Sequence, residues 1–175
     1  HGVVHLPLYV RGLLDRTIKA QPAFATTQSM SCCAVLDADN GLGLVASRRA
    51  IDMAIGIARQ FGLGAVAIRN SSHFGAAGYY ADRAAEHGLI GIALTNAMPA
   101  IAPTGGTEGL LGTNPIGVAF PVPSTDPVIA DMATAMVARS RIRHALAAGQ
   151  KTIPEGWALD PSGRPTIDPA VAVKG

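Results

Sequence analysis

Residues 69–96, RNSSHFGAAGYYADRAAEHGLIGIALTN, constrain this chain more than any other stretch. The apolar run at 64–70 reads as a buried strand, and LIGIALTN at 89–96 reads as the next one. Small residues at helical spacing lie between them, from Gly75 to His87. The whole has the size of a βαβ crossover, about thirty residues. Ser71, Ser72 and His73 fall where the first strand hands over to the helix. Free backbone N–H groups and the helix dipole favour an anion there. Ser71 or Ser72 is placed to cap the helix, and GAAG lets a ligand or a strand come close to the backbone. A histidine at that edge can bond a ligand or move a proton near neutral pH.

The remaining pattern extends an α/β reading. Residues 1–20 carry a helical apolar stripe after Pro7. Asp39-Asn40-Gly41 stands between apolar runs and predicts a hairpin over 33–44. Residues 47–61 repeat apolar positions at helical spacing and stop at Gly62. Arg48 and Arg49 open two readings, a phosphate contact or a solvated first turn. Residues 96–114 are rich in glycine and proline and form a long loop, a form that is usually functional. In its GTNP segment, the hydroxyl and amide either orient a small polar ligand or cap the loop. Residues 116–122 and 128–132 read as strands, and 135–148 as a helix opened by Thr134. Asp131, at a strand end, either accepts a ribose hydroxyl or caps a helix. Residues 152–175 are loop-like and carry the single tryptophan, Trp157.

Composition narrows the class. Of the 175 residues, 49% are hydrophobic and 15% charged, which predicts a chain with little surface charge that buries much of itself, in part against a partner. A net charge of +2 does not argue for nucleic acid. No apolar run reaches membrane-spanning length. Cys32 and Cys33 are adjacent, where a disulfide is strained, so reduced thiols in a cytoplasmic protein are expected. The sequence has no GxGxxG after a strand, no GxxxxGK[ST] loop, no GxSxG elbow and no Cys/His cluster at zinc spacing.

SSHFGAAGYY, LTN, LLGTNPIGVAFP, DMAT and IPEGWALD, in this order, resemble the malate/L-lactate dehydrogenase family. That family is distinct in fold from the Rossmann-type lactate and malate dehydrogenases. The resemblance implies an α/β fold with a mixed sheet and flanking helices. It implies NAD or NADP as cofactor, a homodimer, and a chain longer than this one, so that the sequence reads as a fragment. Residues 1–30 are then an N-terminal helical segment of the substrate or dimerisation part. Residues 31–175 are an α/β cofactor-binding part, incomplete at its C-terminal end. His1 and Gly2 match a Ser-His-Gly motif, which makes His1 a proton-donor candidate; His73 is the second. The resemblance further implies cofactor contacts at His73, Phe74, Gly75, Ala76, Ala77, Asp131, Met132 and Ala133. Substrate contacts fall at His5, Thr113, Arg139 and Ser140. At His5 the family has an arginine, and a histidine lacks the bidentate grip of a guanidinium on a carboxylate. The basic Arg141 resembles the malate- and lactate-like members rather than the cyclic imino-acid reductases.

The function expected is interconversion of a 2-hydroxy acid and a 2-keto acid by hydride transfer, with a histidine moving the proton. The competing expectation is a truncated, non-catalytic remnant that only folds or binds a partner. A hydrolase using His1, His5 and His73 on a metal lacks a carboxylate ligand at motif spacing, so no metal is expected.

Overall fold

β2 (Cys33–Gly41) is the strand on which the first half is built. Every second residue turns inward: Ala34, Leu36 and Ala38 are buried. β1 (Ala25–Met30) pairs antiparallel on one side, and β3 (Ala65–Ser71) pairs parallel on the other. The connection from β2 to β3 is α2 (Gly43–Phe61), which packs on both strands and closes with Gly62 at φ 83°. Preceding it in the chain, α1 (Leu6–Leu14) follows a short 3₁₀ turn at Gly2–His5. A second sheet follows, with strand order β4 (Gly91–Leu94), β5 (Ile116–Phe120), β6 (Val128–Met132). α3 (Ala77–Ala85) lies between β3 and β4 in the chain. The computed structural model describes residues 2–174.

The chain divides into two compact units. One holds the residues up to Ala93 together with Gly117–Asp131; the other holds Leu94–Ile116 and the residues from Met132 onward. The second unit contains α4 (Arg139–Ala147), the two-stranded pair β7 (Ala158–Leu159) and β8 (Pro165–Thr166), and α5 (Pro169–Ala172). Its core gathers Ile142, Ala145, Ile153 and Ala172, with Val137 and Trp157 packed against them. The fold is α/β with small mixed sheets and flanking helices, as the sequence implies.

Four expectations are corrected. The parallel crossover is β2–α2–β3, because β3 and β4 belong to different sheets. Asp39-Asn40-Gly41 makes no hairpin. Asp39 and Asn40 take left-handed φ of 47° and 56°, and the β2–β3 register jumps from Asp37↔Arg69 to Gly41↔Ser71. The turn chemistry is real, but it makes a bulge inside one strand. The hairpin sits instead between β1 and β2, closing at Met30↔Cys33. Residues 152–174 are not wholly loop, since β7, β8 and α5 form there. α4 begins at Arg139, four residues later than expected, after bends at 134–137.

Candidate active site

The loop between β3 and α3 is tied to its surroundings at several points. Ser72 does not cap α3. Its Oγ accepts the N–H of Gly43, the first residue of α2, at 2.9 Å and donates to the carbonyl of Gly41 at 3.3 Å. A Cβ on Gly43 would stand 2.0 Å from the Ser72 carbonyl oxygen, so the loop crosses directly over the start of α2. Ser71 is the last residue of β3. The helix α3 has Ala76 at its N-cap, with no side chain of its own to cap it.

Its cap comes from another strand. The Asp131 carboxylate on β6 accepts the N–H of Gly78 at 2.8 Å. A Cβ on Gly78 would meet Asp131 Cβ and Oδ2 at 3.0 Å, so glycine is needed for that approach. Of the two readings of Asp131, the capping contact is therefore present, though on α3 rather than α4. It places a negative charge at the helix end where an anion is favoured. The loop's shape rests on Gly75 at φ 88° and on Tyr80, whose hydroxyl donates to the Phe74 carbonyl and whose ring stacks on Phe74 at 5.2 Å. Tyr80 is buried, which pushes its pKa up to about 12.

His73 stands at the head of this loop against α1. Tyr9 Oη lies 2.7 Å from His73 Nδ1, and the His5 ring is centred 5.0 Å from the His73 ring. His5 ends the 3₁₀ turn, and Tyr9 is one helical turn further on, so both meet the same neighbour. The face of His73 remains in contact with solvent, yet the packed rings remove enough water to push its pKa below the ordinary histidine value. The charge of His5 adds to that direction. Burial also raises the Tyr9 phenol, which keeps its proton. Tyr9 was not singled out in the sequence; its four-residue spacing from His5 was the available signal.

The first unit thus brings His5, His73, Phe74, Gly75, Ala76, Ala77 and Asp131 to one end of α3. Beside the loop, α2 and α3 border a groove of about 910 Å³ lined by Leu44, Arg48, Asp52 and Tyr79, among others. Arg48 is engaged by Asp52 at 3.0 Å and by the Tyr79 hydroxyl at 3.0 Å, and Arg49 lies over the Phe24 ring. The second unit holds Thr113, Met132, Ala133, Arg139 and Ser140. Thr113 accepts from the N–H of Thr134 at 2.9 Å through its carbonyl. Asn114 Oδ1 accepts the N–H of Ala97 and ties the ends of the long loop together. Arg139 donates to the Val173 carbonyl at 3.2 Å, and Ser140 is exposed in the first turn of α4. His1 lies outside the described residues. No group of three metal-ligating side chains occurs among the described residues.

Comparison with known proteins agrees with this architecture. The family model for malate/L-lactate dehydrogenase matches residues 1–175. The L-sulfolactate dehydrogenase of Methanocaldococcus jannaschii is 45% identical over 175 residues, covering 100% of this chain and 50% of that protein. The solved sulfolactate dehydrogenase structure from that organism superposes with a TM-score of 0.91 at 44% identity, covering 100% of this chain and 50% of its own. The (2R)-3-sulfolactate dehydrogenase (NADP(+)) of Chromohalobacter salexigens is 43% identical, covering 100% of this chain and 52% of that protein. The ureidoglycolate dehydrogenase (NAD(+)) of Escherichia coli O157:H7 is 36% identical, covering 97% and 48%. The chain spans about half the length of the curated relatives it matches. With the family model matching residues 1–175 and a solved relative superposing over the whole of this chain, the chain belongs to the malate/L-lactate dehydrogenase family.

Proposed function

We propose that this chain carries part of an NAD(P)-dependent oxidoreductase site that interconverts a 2-hydroxy acid and a 2-keto acid. The observation that carries the reading is His73, held by Tyr9 at the start of α3 in a chain of this family. Among the relatives, the (2R)-3-sulfolactate dehydrogenase is named for NADP(+) and the ureidoglycolate dehydrogenase for NAD(+), which supports a nicotinamide cofactor without choosing one. Residues 1–30 and 31–175 are proposed as the substrate or dimerisation segment and the cofactor-binding part. The assembly proposed is a homodimer, and the setting cytoplasmic; no helix among the described residues is long and apolar enough to cross a membrane.

The residues at α3 fit some parts of such a cofactor better than others. Asp131 already supplies a carboxylate to the first turn, so a phosphate there would meet a like charge. The short side chains of Gly75, Ala76 and Ala77 and the remaining acceptor capacity of Asp131 suit neutral groups, a carboxamide or a ribose hydroxyl. Phe74, Met132 and Ala133 complete the proposed cofactor contacts.

A nicotinamide, when bound, supplies or accepts the hydride. The protein's part is the proton. With Nδ1–H donating to Tyr9 Oη, the neutral His73 ring keeps Nε2 as the acceptor for the substrate's hydroxyl proton. In oxidation the neutral imidazole removes the hydroxyl proton as the carbonyl forms; in reduction the imidazolium returns it to the alkoxide. His1 is the alternative donor. His5, Thr113, Arg139 and Ser140 are proposed as substrate contacts.

The test is NADH and NADPH binding to the 175-residue chain, followed by Trp157 fluorescence and by calorimetry. Saturable binding that His73→Ala weakens at least tenfold, or a comparable loss of turnover with a 2-keto acid panel, is expected. Near-normal binding and kinetics in that variant remove His73 from the mechanism. A second reading, a folded but non-catalytic part, is favoured by the chain's half-length coverage of its relatives. No binding by a demonstrably folded chain would select it.

A further inference from the structure

We propose that Cys32 and Cys33 form a preset dithiol site whose ligand class is a monosubstituted trivalent arsenical. Both thiols are free and half-buried, and their sulfurs stand 3.7 Å apart. That is far beyond a bonded pair, at about 2.05 Å. Adjacent Cα atoms, about 3.8 Å apart across a trans peptide, are also closer than the about 4.4 Å minimum for an ordinary disulfide. Two sulfurs sharing one thiophilic atom are a different case. At bonds of about 2.3 Å, the length thiolate sulfur makes to zinc, and the roughly 100° angle of a pyramidal trivalent centre, they stand roughly 3.5 Å apart. The observed 3.7 Å is a hydrogen-bonded contact between the thiols, so a small rotation of the two side chains lets both sulfurs reach one such atom.

The fold fixes that separation. Cys33 pairs with Met30 across the β1–β2 hairpin and with Ala65 in the parallel ladder to β3. The Cys32 carbonyl accepts the Ala65 N–H at 2.9 Å. Gln28 Nε2 donates to the Ser31 carbonyl and braces the turn. The backbone of the pair is therefore held from both sides, so little chain freedom is lost on chelation. No third His, Cys, Asp or Glu joins the pair among the described residues. A zinc ion needing four donors is poorly served. An arsenical brings its own organic substituent and needs two sulfurs only. The hydrogen bond from Cys32 raises the Cys33 pKa, which keeps Cys33 a thiol near neutrality.

The reaction is a condensation. An arsenoxide, R–As=O, meets two S–H groups; two As–S bonds form, and the oxygen leaves as water with the two thiol protons. Arsenic stays trivalent, and nothing is oxidised or reduced.

Phenylarsine oxide is the probe, with intact-mass analysis of the 175-residue chain. One phenylarsenic per chain, loss of both thiols to a disulfide reagent and reversal by 2,3-dimercaptopropanol are expected. Cys32→Ser and Cys33→Ser should each weaken retention at least about a hundredfold, the scale of losing an intramolecular second bond. A single-cysteine variant that retains the adduct as the parent does would overturn the proposal. Should a variant lose its circular dichroism, competition on the unaltered chain decides. The folded chain must hold the adduct at higher dithiothreitol than the urea-unfolded chain. Equal retention would assign binding to sequence adjacency and refute a fold-preset site.

Discussion

At the scale of single residues, two charges control the loop before α3. His73 carries a depressed pKa because its ring is partly desolvated and because His5 lies beside it. His5→Gln removes that neighbouring charge, so the His73 pKa should rise toward its ordinary value of about 6.5, as read by NMR titration of its ring protons. A fall, or no change, would show that the two rings do not interact electrically. The sign of the stability effect follows. Between about pH 6.5 and the lower folded value, the unfolded chain binds a proton that the folded chain refuses. Folding stability from this residue is therefore complete above about pH 6.5 and declines as the pH drops through that window. Asp131 makes the second case. Asp131→Ala leaves the Gly78 N–H without its acceptor, at a cost of about 1 kcal/mol in denaturant unfolding, while Asp131→Asn keeps most of that. If NADH affinity in Asp131→Ala falls no further than this loss of stability explains, Asp131 serves only as a cap. The sequence showed that a carboxylate ends β6, but not which helix it serves, because the partner lies fifty-three positions away in the chain.

At the scale of elements, helices sit on sheets through glycines. A Cβ on Gly64 would stand 2.0 Å from the Ala54 carbonyl oxygen of α2, and one on Gly91 would stand 2.1 Å from the Ala81 carbonyl oxygen of α3. Gly117 on β5 faces the backbone of Ala77 in the same way. Gly91→Ala should therefore destabilise the chain by about 3 kcal/mol or more, since backbone cannot swing aside like a side chain. Gly56 is the control. It lies in α2 with nothing within 4 Å of its Cβ position, so Gly56→Ala should stabilise by about 0.5–1 kcal/mol. Thermal unfolding of both variants checks the pair. Which elements exist was largely legible, because the apolar periods of β3, α2, β5 and β6 are strong. Which strands pair was not. Asp39 and Asn40 have the residues of a hairpin turn, yet β3 extends the pairing of β2 beyond them and converts the turn into a bulge. Ser72 looked like the cap of the helix that follows it. The loop path brings it instead to the helix that precedes it, a tertiary contact that local sequence does not encode.

At the scale of the whole molecule, the composition and the surface point the same way. Hydrophobic residues outnumber charged ones by 49% to 15%, and many of them are not inside. Along α1, Leu6, Leu8 and Leu14 are 56%, 54% and 76% exposed, and on β6 Val128 is 61% exposed. The core of the first unit is correspondingly light, built on alanines around Leu36, Ile55 and Tyr80. Scattered apolar residues are ordinary on a protein surface, but Leu6, Val10 and Leu14, spaced by four along α1, form one exposed stripe and mark a contact face. The occupant consistent with the family resemblance is a second copy of the chain. Leucine burial contributes about 1.5–3 kcal/mol per side chain, so a paired Leu6→Ser and Leu14→Ser change should weaken association by at least about a hundredfold. Sedimentation equilibrium over a concentration series, with circular dichroism to show that the variant stays folded, measures this directly. A parent chain that stays monomeric through the series would remove self-association as the role of this face. A parent that dimerises with unchanged affinity in the double variant would place the dimer contact elsewhere, with β6 and its exposed Val128, Ile129 and Met132 as the next surface to alter.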